Sequence, residues 1–291
     1  MTPSRVPRLN AYVLAADPWW IEESVLSYYD LVDRIVVSYD SDGLSWTGTS
    51  LPVEECLRRV KSIDRAGKCD FRPGKFAQPD RPPLDNDTAQ RRVAHSQAAD
   101  GADWVVQIDT DEVLLDAGEF LASVHEADSH GADGLEYPAR FLYTRSPSGV
   151  FLEYARPGWR MLTNYPGPVA ARSNAQPRHA RQIDGSLYRV DIAPNNTDPR
   201  HPYNALVHRV ISPDQAILHY SWVRSEDYMM RKVGWSGHAG TYSEPRQLKA
   251  WRRITRHPIL SAACPQSGAN REWFRLTTLP PDRTHWRGER D

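Results

Sequence analysis

Three acids crowd the end of the segment ADWVVQIDTDEVLL, residues 102–115, where Asp109, Asp111 and Glu112 follow the apolar Val105, Val106 and Ile108. Neighbouring carboxylates raise one another's cost of ionisation, so an apolar strand that runs into them calls for a compensating positive charge. In an extended chain residues i and i+2 face the same way, so Asp109 and Asp111 are expected to present both carboxylates to one point. A divalent cation completing its shell with oxygen, Mn2+ or Mg2+, is the compensation this spacing suggests. His219 closes the apolar run Ala216–Leu218 and is a candidate third ligand, since imidazole favours Mn2+ or another transition metal over Mg2+. Arg224, Arg231 and Lys232 follow it closely and suit the oxygens of a phosphate. Two aspartates at this spacing also arise by chance as a solvated, helix-capping turn. Their place directly after a buried strand is what favours chemistry.

The elements that must position these residues alternate in the first half of the chain. NAYVLAA (10–16) and RIVVSYD (34–40) are apolar strands, and the opening segment is a third. Between them, WWIEESVLSYYDLV (19–32), LPVEECLRRVKSI (51–63) and DNDTAQRRVAHSQAAD (85–100) carry apolar residues at helical spacing. Alternation of this kind predicts an α/β domain with a largely parallel sheet. Ligands bind such sheets beyond the carboxyl ends of the strands, here Ala15–Asp17, Asp40–Gly43 and Asp109–Glu112. From about 135 to 220 short strand-like runs separated by Pro, Gly and Asn predict a mixed or antiparallel region that closes the sheet. The Pro-rich segment 73–87 reads as a surface loop near the strand ends. Helices follow Ser225, and a polar tail, PPDRTHWRGERD, closes the chain.

Composition narrows the field. The 291 residues suffice for one large domain or two small ones, and a hydrophobic content of 40% with 25% charged residues is ordinary for a globular protein. A formal net charge of -1 argues against a nucleic-acid partner. Three cysteines, none in a C-x-x-C pair, argue against a disulfide framework and a thiolate zinc site. No stretch has the apolar length of a signal peptide or a membrane span, so the expected compartment is the cytoplasm. Ten Trp and 13 Tyr suit the stacking of flat or sugar-like ligands, although core packing uses the same residues.

GADWVVQIDTDEVL resembles the D-x-D region of family 2-type glycosyltransferases, which have the nucleotide-diphospho-sugar-binding fold called GT-A. The likeness extends over LNAYVLAADPWWIEESVLSYYDLVDRIVVSYDSDG, similar to that fold's first strand, helix and second strand, and over TAQRRVAHSQAADGADW. LHYSWVRSEDYMMRK is similar to the later His-containing segment. The resemblance implies a Rossmann-like, mostly parallel sheet flanked by helices, with a mixed C-terminal portion. It implies a GT-A domain over 1–240, with a nucleotide-binding half at 1–120 and an acceptor-side half at 121–240, and a helical extension with a polar tail at 241–291. It further implies metal–diphosphate ligation by Asp109 and Asp111 with His219 as third ligand. Ala15, Asp17 and Asp40 would sit around base and ribose, and Arg91 or Arg92 would face the nucleotide. The donor would be a UDP- or GDP-sugar and the acceptor an unidentified hydroxyl of a small molecule, glycan or protein. The turn YDSDGLSWTGTSLP departs from the Asn- or Ser-rich turn of common members.

Sugar transfer suits these residues. A nucleoside diphosphate leaves as the glycosidic bond breaks, and a metal with Lys232 or Arg224 would neutralise its growing charge. An inverting reaction needs a general base, for which Glu112, Glu136 and Glu153 are candidates, Glu112 also suiting a helix cap. A haloacid-dehalogenase-type phosphatase also ends an apolar strand in D-x-D, but that motif usually opens its domain. A nucleotidyltransferase would carry a Gly-rich phosphate loop where this chain has LAADPWW. A non-catalytic nucleotide- or carbohydrate-binding protein of the same fold would have no need of the acids. DSDG at 40–43 reads as a turn, Trp19-Trp20 as packing of the first helix, and the basic segment 245–258 as a solvated amphipathic helix rather than one meeting an anionic surface.

Overall fold

The computed structural model describes residues 6–235 and 245–279. The polar tail from 280 onward lies outside the described residues. Four parallel strands form one half of the main sheet: β1 (Leu9–Leu14), β2 (Arg34–Asp40), β3 (Cys69–Gly74) and β4 (Trp104–Val106), side by side in the order β4-β1-β2-β3. β1 is buried at every position, as expected for a central parallel strand covered on both faces. Side chains alternate across it. Leu9, Ala11 and Val13 pack into the large core with Ile35, Val37 and Val106, beneath helices α1 (Ile21–Tyr28), α2 (Val53–Ile63) and α4 (Ala117–Ser129). Tyr12 and Leu14 face the other way and meet Val36, Val105 and Ala94 of α3 (Pro83–Ala98).

β3 escapes the sequence pattern. CDFRPG has no apolar alternation, because it is an edge strand whose charged Asp70 and Arg72 keep the open side in water. The Pro-rich segment read as a loop from 73 therefore starts inside a strand. It becomes α3 at Pro83, where the missing N–H of proline is harmless in the first helical turn.

The remaining strands are β5 (Glu112–Leu114), β6 (Gly134–Glu136), β7 (Ala139–Arg145), β8 (Phe151–Arg156), β9 (Arg160–Met161), β10 (Ala170–Arg172), β11 (Pro177–His179), β12 (Gln182–Ile183), β13 (Leu187–Asp191), β14 (Arg209–Val210), β15 (Ile217–His219) and β16 (Trp273–Thr277). β10 inserts antiparallel between β4 and β6, and β13 and β14 extend that side, so the first sheet is mixed. β5, β15, β7, β8 and β16 build a second sheet in that order. β16 is a strand in a region expected to be helical. It pairs with β8 along its whole length and buries Phe274 in the second core.

The opening segment is not one strand. β4 belongs to the first sheet and β5 to the second, and a tight turn joins them, closed by the Glu112 N–H donating to the Asp109 carbonyl at 3.0 Å. The acids occupy the junction where the chain changes sheets. Trp20 and Tyr220 pack at 4.4 Å between ring centroids beside this junction, and the Trp20 indole donates to the Val223 carbonyl at 3.3 Å. The tryptophan pair thus packs α1, as its sequence suggests. Among the described residues no helix is long and apolar enough to cross a membrane.

The inner face of α3 is unusually polar, and one residue makes it sensitive to acid. His95 is fully buried edge-on to Tyr12, at 6.5 Å between ring centroids. Burial pushes its imidazole down from 6.5 to about 4. The unfolded chain takes up this proton near pH 6.5 and the folded one only near 4, so the contribution of His95 is intact above 6.5 and declines as pH falls toward 4. About 2 kcal/mol should be lost by pH 5 from this group. Urea unfolding of the wild type and of His95→Gln at pH 7 and pH 5 should show a smaller decline in the variant. Equal declines would assign the acid sensitivity elsewhere.

Candidate active site

A cavity of about 370 Å³ opens where the parallel strands end. Ala15 and Asp17 after β1, Asp40 at the end of β2, Asp109 and Asp111 after β4, and Asp87, Gln90 and Arg91 from α3 all line it. His219, Ser221 and Lys232 reach it from β15 and from α5 (Glu226–Trp235), and Trp46, Phe141 and Trp235 add aromatic surface. The antiparallel pairing of β15 with β5 sets His219 opposite Glu112, which delivers the imidazole to the junction. The three strand ends proposed from the sequence do meet on one edge.

The carboxylates are compensated by side chains of the chain itself. Asp111 Oδ2 lies 2.6 Å from Lys232 Nζ and 3.2 Å from Arg224 Nη2, and Asp111 Oδ1 lies 3.3 Å from His219 Nε2. Asp17 Oδ2 lies 2.8 Å from Arg224 Nη2 and 3.4 Å from Lys232, which closes a ring of two acids and two cations. Burial by itself would raise the Asp111 carboxyl. Lys232, His219 and Arg224 outweigh it and hold the group well below the usual carboxylate range. Burial likewise opposes Asp17, and Arg224 and Lys232 hold it low. The Tyr228 hydroxyl donates to Asp17 Oδ1 at 2.7 Å.

Asp109 turns to a different set of partners. Arg91 Nη2 donates to its Oδ1 at 2.9 Å, and Arg91 Nε donates to Asp87 Oδ1 at 2.7 Å, one helical turn back. Arg91 Nη1 is buried and has no hydrogen-bond partner among the described residues. Glu112 sits behind the turn rather than in the cavity. It is fully buried, clasped by Arg181 at 2.6 and 2.7 Å, and accepts the Asp109 N–H at 3.0 Å.

The tight turn thus separates what an extended strand would have kept together, and Asp109 and Asp111 face different cations. As arranged, the donors do not fit a divalent ion. An ammonium and a guanidinium stand against Asp111 Oδ2 and a guanidinium against Asp109 Oδ1. No three His, Cys, Asp or Glu side chains among the described residues gather as a metal site. The positive charge expected of Mn2+ or Mg2+ comes from Lys232, Arg224 and Arg91.

Other expectations find different places. Both oxygens of Asp40 are taken by backbone N–H groups, Oδ1 by Asp42 and Leu44 and Oδ2 by Phe76 and Ala77, so this acid organises the loops at the cavity rim. The DSDG segment is the expected turn, with Gly43 at φ 67°. Arg92 donates to the Pro177 carbonyl and Arg231 lies over the Tyr228 ring, both outside the cavity. Glu153 is fully buried against Arg140 at 2.8 and 2.9 Å, and Glu136 pairs with Arg189 at 2.6 Å; neither lines the cavity. Arg181, Asp87 and Tyr228 complete the arrangement and were not singled out from the sequence. Asp87 precedes Arg91 by one helical turn, a spacing that could have marked it. Arg181 lies between two short strands and carries no periodic signal.

No protein-family model matches the chain, and no curated protein matches its sequence. Among solved structures, the chain is similar to the mannosyltransferase PcManGT from Pyrobaculum calidifontis in complex with GDP-Man and Mn2+. The identity is 15% and the TM-score 0.33, over 46% of this chain and 36% of that one. It is also similar to the mannose-6-phosphate isomerase from Helicobacter pylori, at 11% identity and a TM-score of 0.28, over 52% of this chain and 57% of that one. The chain spans less than two thirds of either neighbour. Likenesses this partial leave the chemistry to be read from the site itself.

Proposed function

We propose that this chain is a glycosyltransferase of GT-A type that moves a sugar from a nucleoside-diphosphate donor to an acceptor hydroxyl. One observation carries the reading: the carboxyl ends of three parallel strands open into a single cavity holding buried cations, Arg91 and Lys232, beside Trp46 and Trp235. Doubly wound sheets bind nucleotides at this edge, and a few hundred Å³ is the size of a small-molecule site. Lys232, steadied by Asp111 and Asp17, would meet the negative charge that grows on the departing diphosphate, and Arg91, which also lines the cavity, would add a second positive charge. Asp109, whose side chain is 33% exposed, is the carboxylate best placed to receive the acceptor proton; Glu112 is sealed behind the turn. Attack of the acceptor oxygen on the anomeric carbon from the face opposite the departing diphosphate, its proton passing to Asp109 as the bond to the diphosphate breaks, would give inversion.

The experiment is a thermal-shift panel of nucleoside diphosphates with and without Mn2+, followed by hydrolysis of the matching sugar donors. UDP or GDP at a hundredfold excess over Kd should raise the Tm by about 5 °C. No shift with any nucleoside diphosphate in either condition would remove the proposal. Phosphate release from simple phosphomonoesters would favour the phosphatase instead. Asp109→Asn should bind the donor like the wild type and transfer about a hundredfold more slowly; unimpaired transfer would exclude Asp109 as the base.

A further inference from the structure

The strongest feature outside the cavity is a basic and apolar face at the far end of the second sheet. Residues 245–271 contain six Lys and Arg and no Asp or Glu, in a chain whose net charge is -1. Arg246, Lys249, Arg253 and Arg256 recur every three to four residues along the helix Pro245–Arg256, and all four are exposed. Its opposite face buries Trp251 and Ile254 in the second core, with the Trp251 indole donating to the Trp222 carbonyl at 3.2 Å. The helix is therefore fixed in rotation, and its cations are held outward as a stripe.

Apolar side chains stand beside that stripe. The next helix, Pro258–Ala263, follows after His257 alone and leaves Ile259 and Leu260 each 62% exposed. Trp159 sits in the β8–β9 turn at φ 57°, between Arg156 and Arg160, and is 45% exposed. Its indole donates to the Ala262 carbonyl at 2.8 Å, which ties this turn to the same short helix. Single exposed apolar residues mean little, but an anchored tryptophan with two neighbouring aliphatics, bordered by cations, is the pattern of an interfacial membrane surface.

We propose that this face docks the protein on an anionic lipid bilayer, with Trp159, Ile259 and Leu260 entering the headgroup boundary and the basic stripe meeting the lipid charge. The occupant follows from charge: a run of six basic residues without a single acid, on a chain that is net acidic elsewhere, complements a negative surface. Each Lys or Arg close to such a membrane strengthens binding about fivefold, and aliphatic burial adds an attraction that salt does not screen. The proposal is independent of the reaction assigned to the cavity.

Co-sedimentation of the full chain with vesicles of phosphatidylcholine, alone or with about one-third phosphatidylglycerol, tests it. Binding should appear with the anionic vesicles, be weak with the neutral ones, and fall in half-molar salt. Arg246→Glu/Lys249→Glu/Arg253→Glu should weaken it by about a hundredfold or more, and Ile259→Ser/Leu260→Ser by about tenfold. All five positions are at the surface, and an unchanged melting temperature verifies that each variant is folded. Absence of binding to anionic vesicles, or wild-type binding by both folded variants, overturns the proposal. So does an equilibrium dimer that the Ser pair dissociates while vesicle binding stays unchanged, since the face would then serve self-association.

Discussion

Arg181→Met should lower the unfolding free energy by about 3–5 kcal/mol, the penalty for stranding one partner of a buried ion pair. Glu112 is fully buried, and both of its oxygens are held by Arg181 within 2.7 Å. Without the guanidinium the carboxylate must either stay charged in an apolar setting or take up a proton, and each alternative penalises the folded state. Arg181 also donates to the Gln107 carbonyl at 3.0 Å, so its loss loosens the approach to the acidic turn as well. The Tm should drop by about 7 °C. Removing both charges in Arg181→Met/Glu112→Leu should recover much of the loss, because two matched apolar side chains can replace a buried pair. Urea unfolding of the wild type, the single and the double variant measures this directly. A single variant within 1 kcal/mol of wild type would mean that water reaches Glu112 and that the pair does not anchor the turn.

On the proposed function, Lys232→Met should reduce sugar transfer about 10²–10³-fold, the usual consequence of removing one preorganised positive donor from a developing anion. The lysine is held against Asp111, Asp17 and Ser221 by neighbours on three different elements, so it need not reorganise when the leaving group acquires charge. The fall should lie mainly in kcat, since charge on the bridging oxygen grows only as the bond breaks. Lys232→Arg should retain part of the rate, and Lys75→Met, at a lysine whose side chain is 80% exposed, should retain all of it. Full transfer by Lys232→Met would move charge neutralisation to Arg91 or to an added cation, and would remove Lys232 from the mechanism.

These two expectations concern residues of very different visibility in the sequence. Lys232 follows an apolar run ending in His219 and could be named as a phosphate-facing cation. The buried strands β1 and β2 declare themselves by runs of Val, Ile and Leu, and the helices by apolar spacing, because burial on defined faces constrains residue type locally. Arg181 could not be found this way. Its partner is 69 residues earlier, and nothing around it repeats. β3 was hidden for a related reason: an edge strand needs few apolar residues, so its pairing with β2 leaves little mark in composition.

By itself, the sequence determined which acids share one edge of an α/β sheet, since strand order along the chain and parallel connection fix where Asp17, Asp40 and Asp109 must emerge. Only the tertiary structure decided what those acids face. The turn at Asp109–Glu112 carries the chain from one sheet to the other, which turns Asp109 toward Arg91 and Asp111 toward Lys232 and Arg224. A pattern of two aspartates records that negative charge is gathered, but the source of the balancing charge depends on distant elements folding back. Coulomb energy depends on separation in space, and separation along the chain carries none of it.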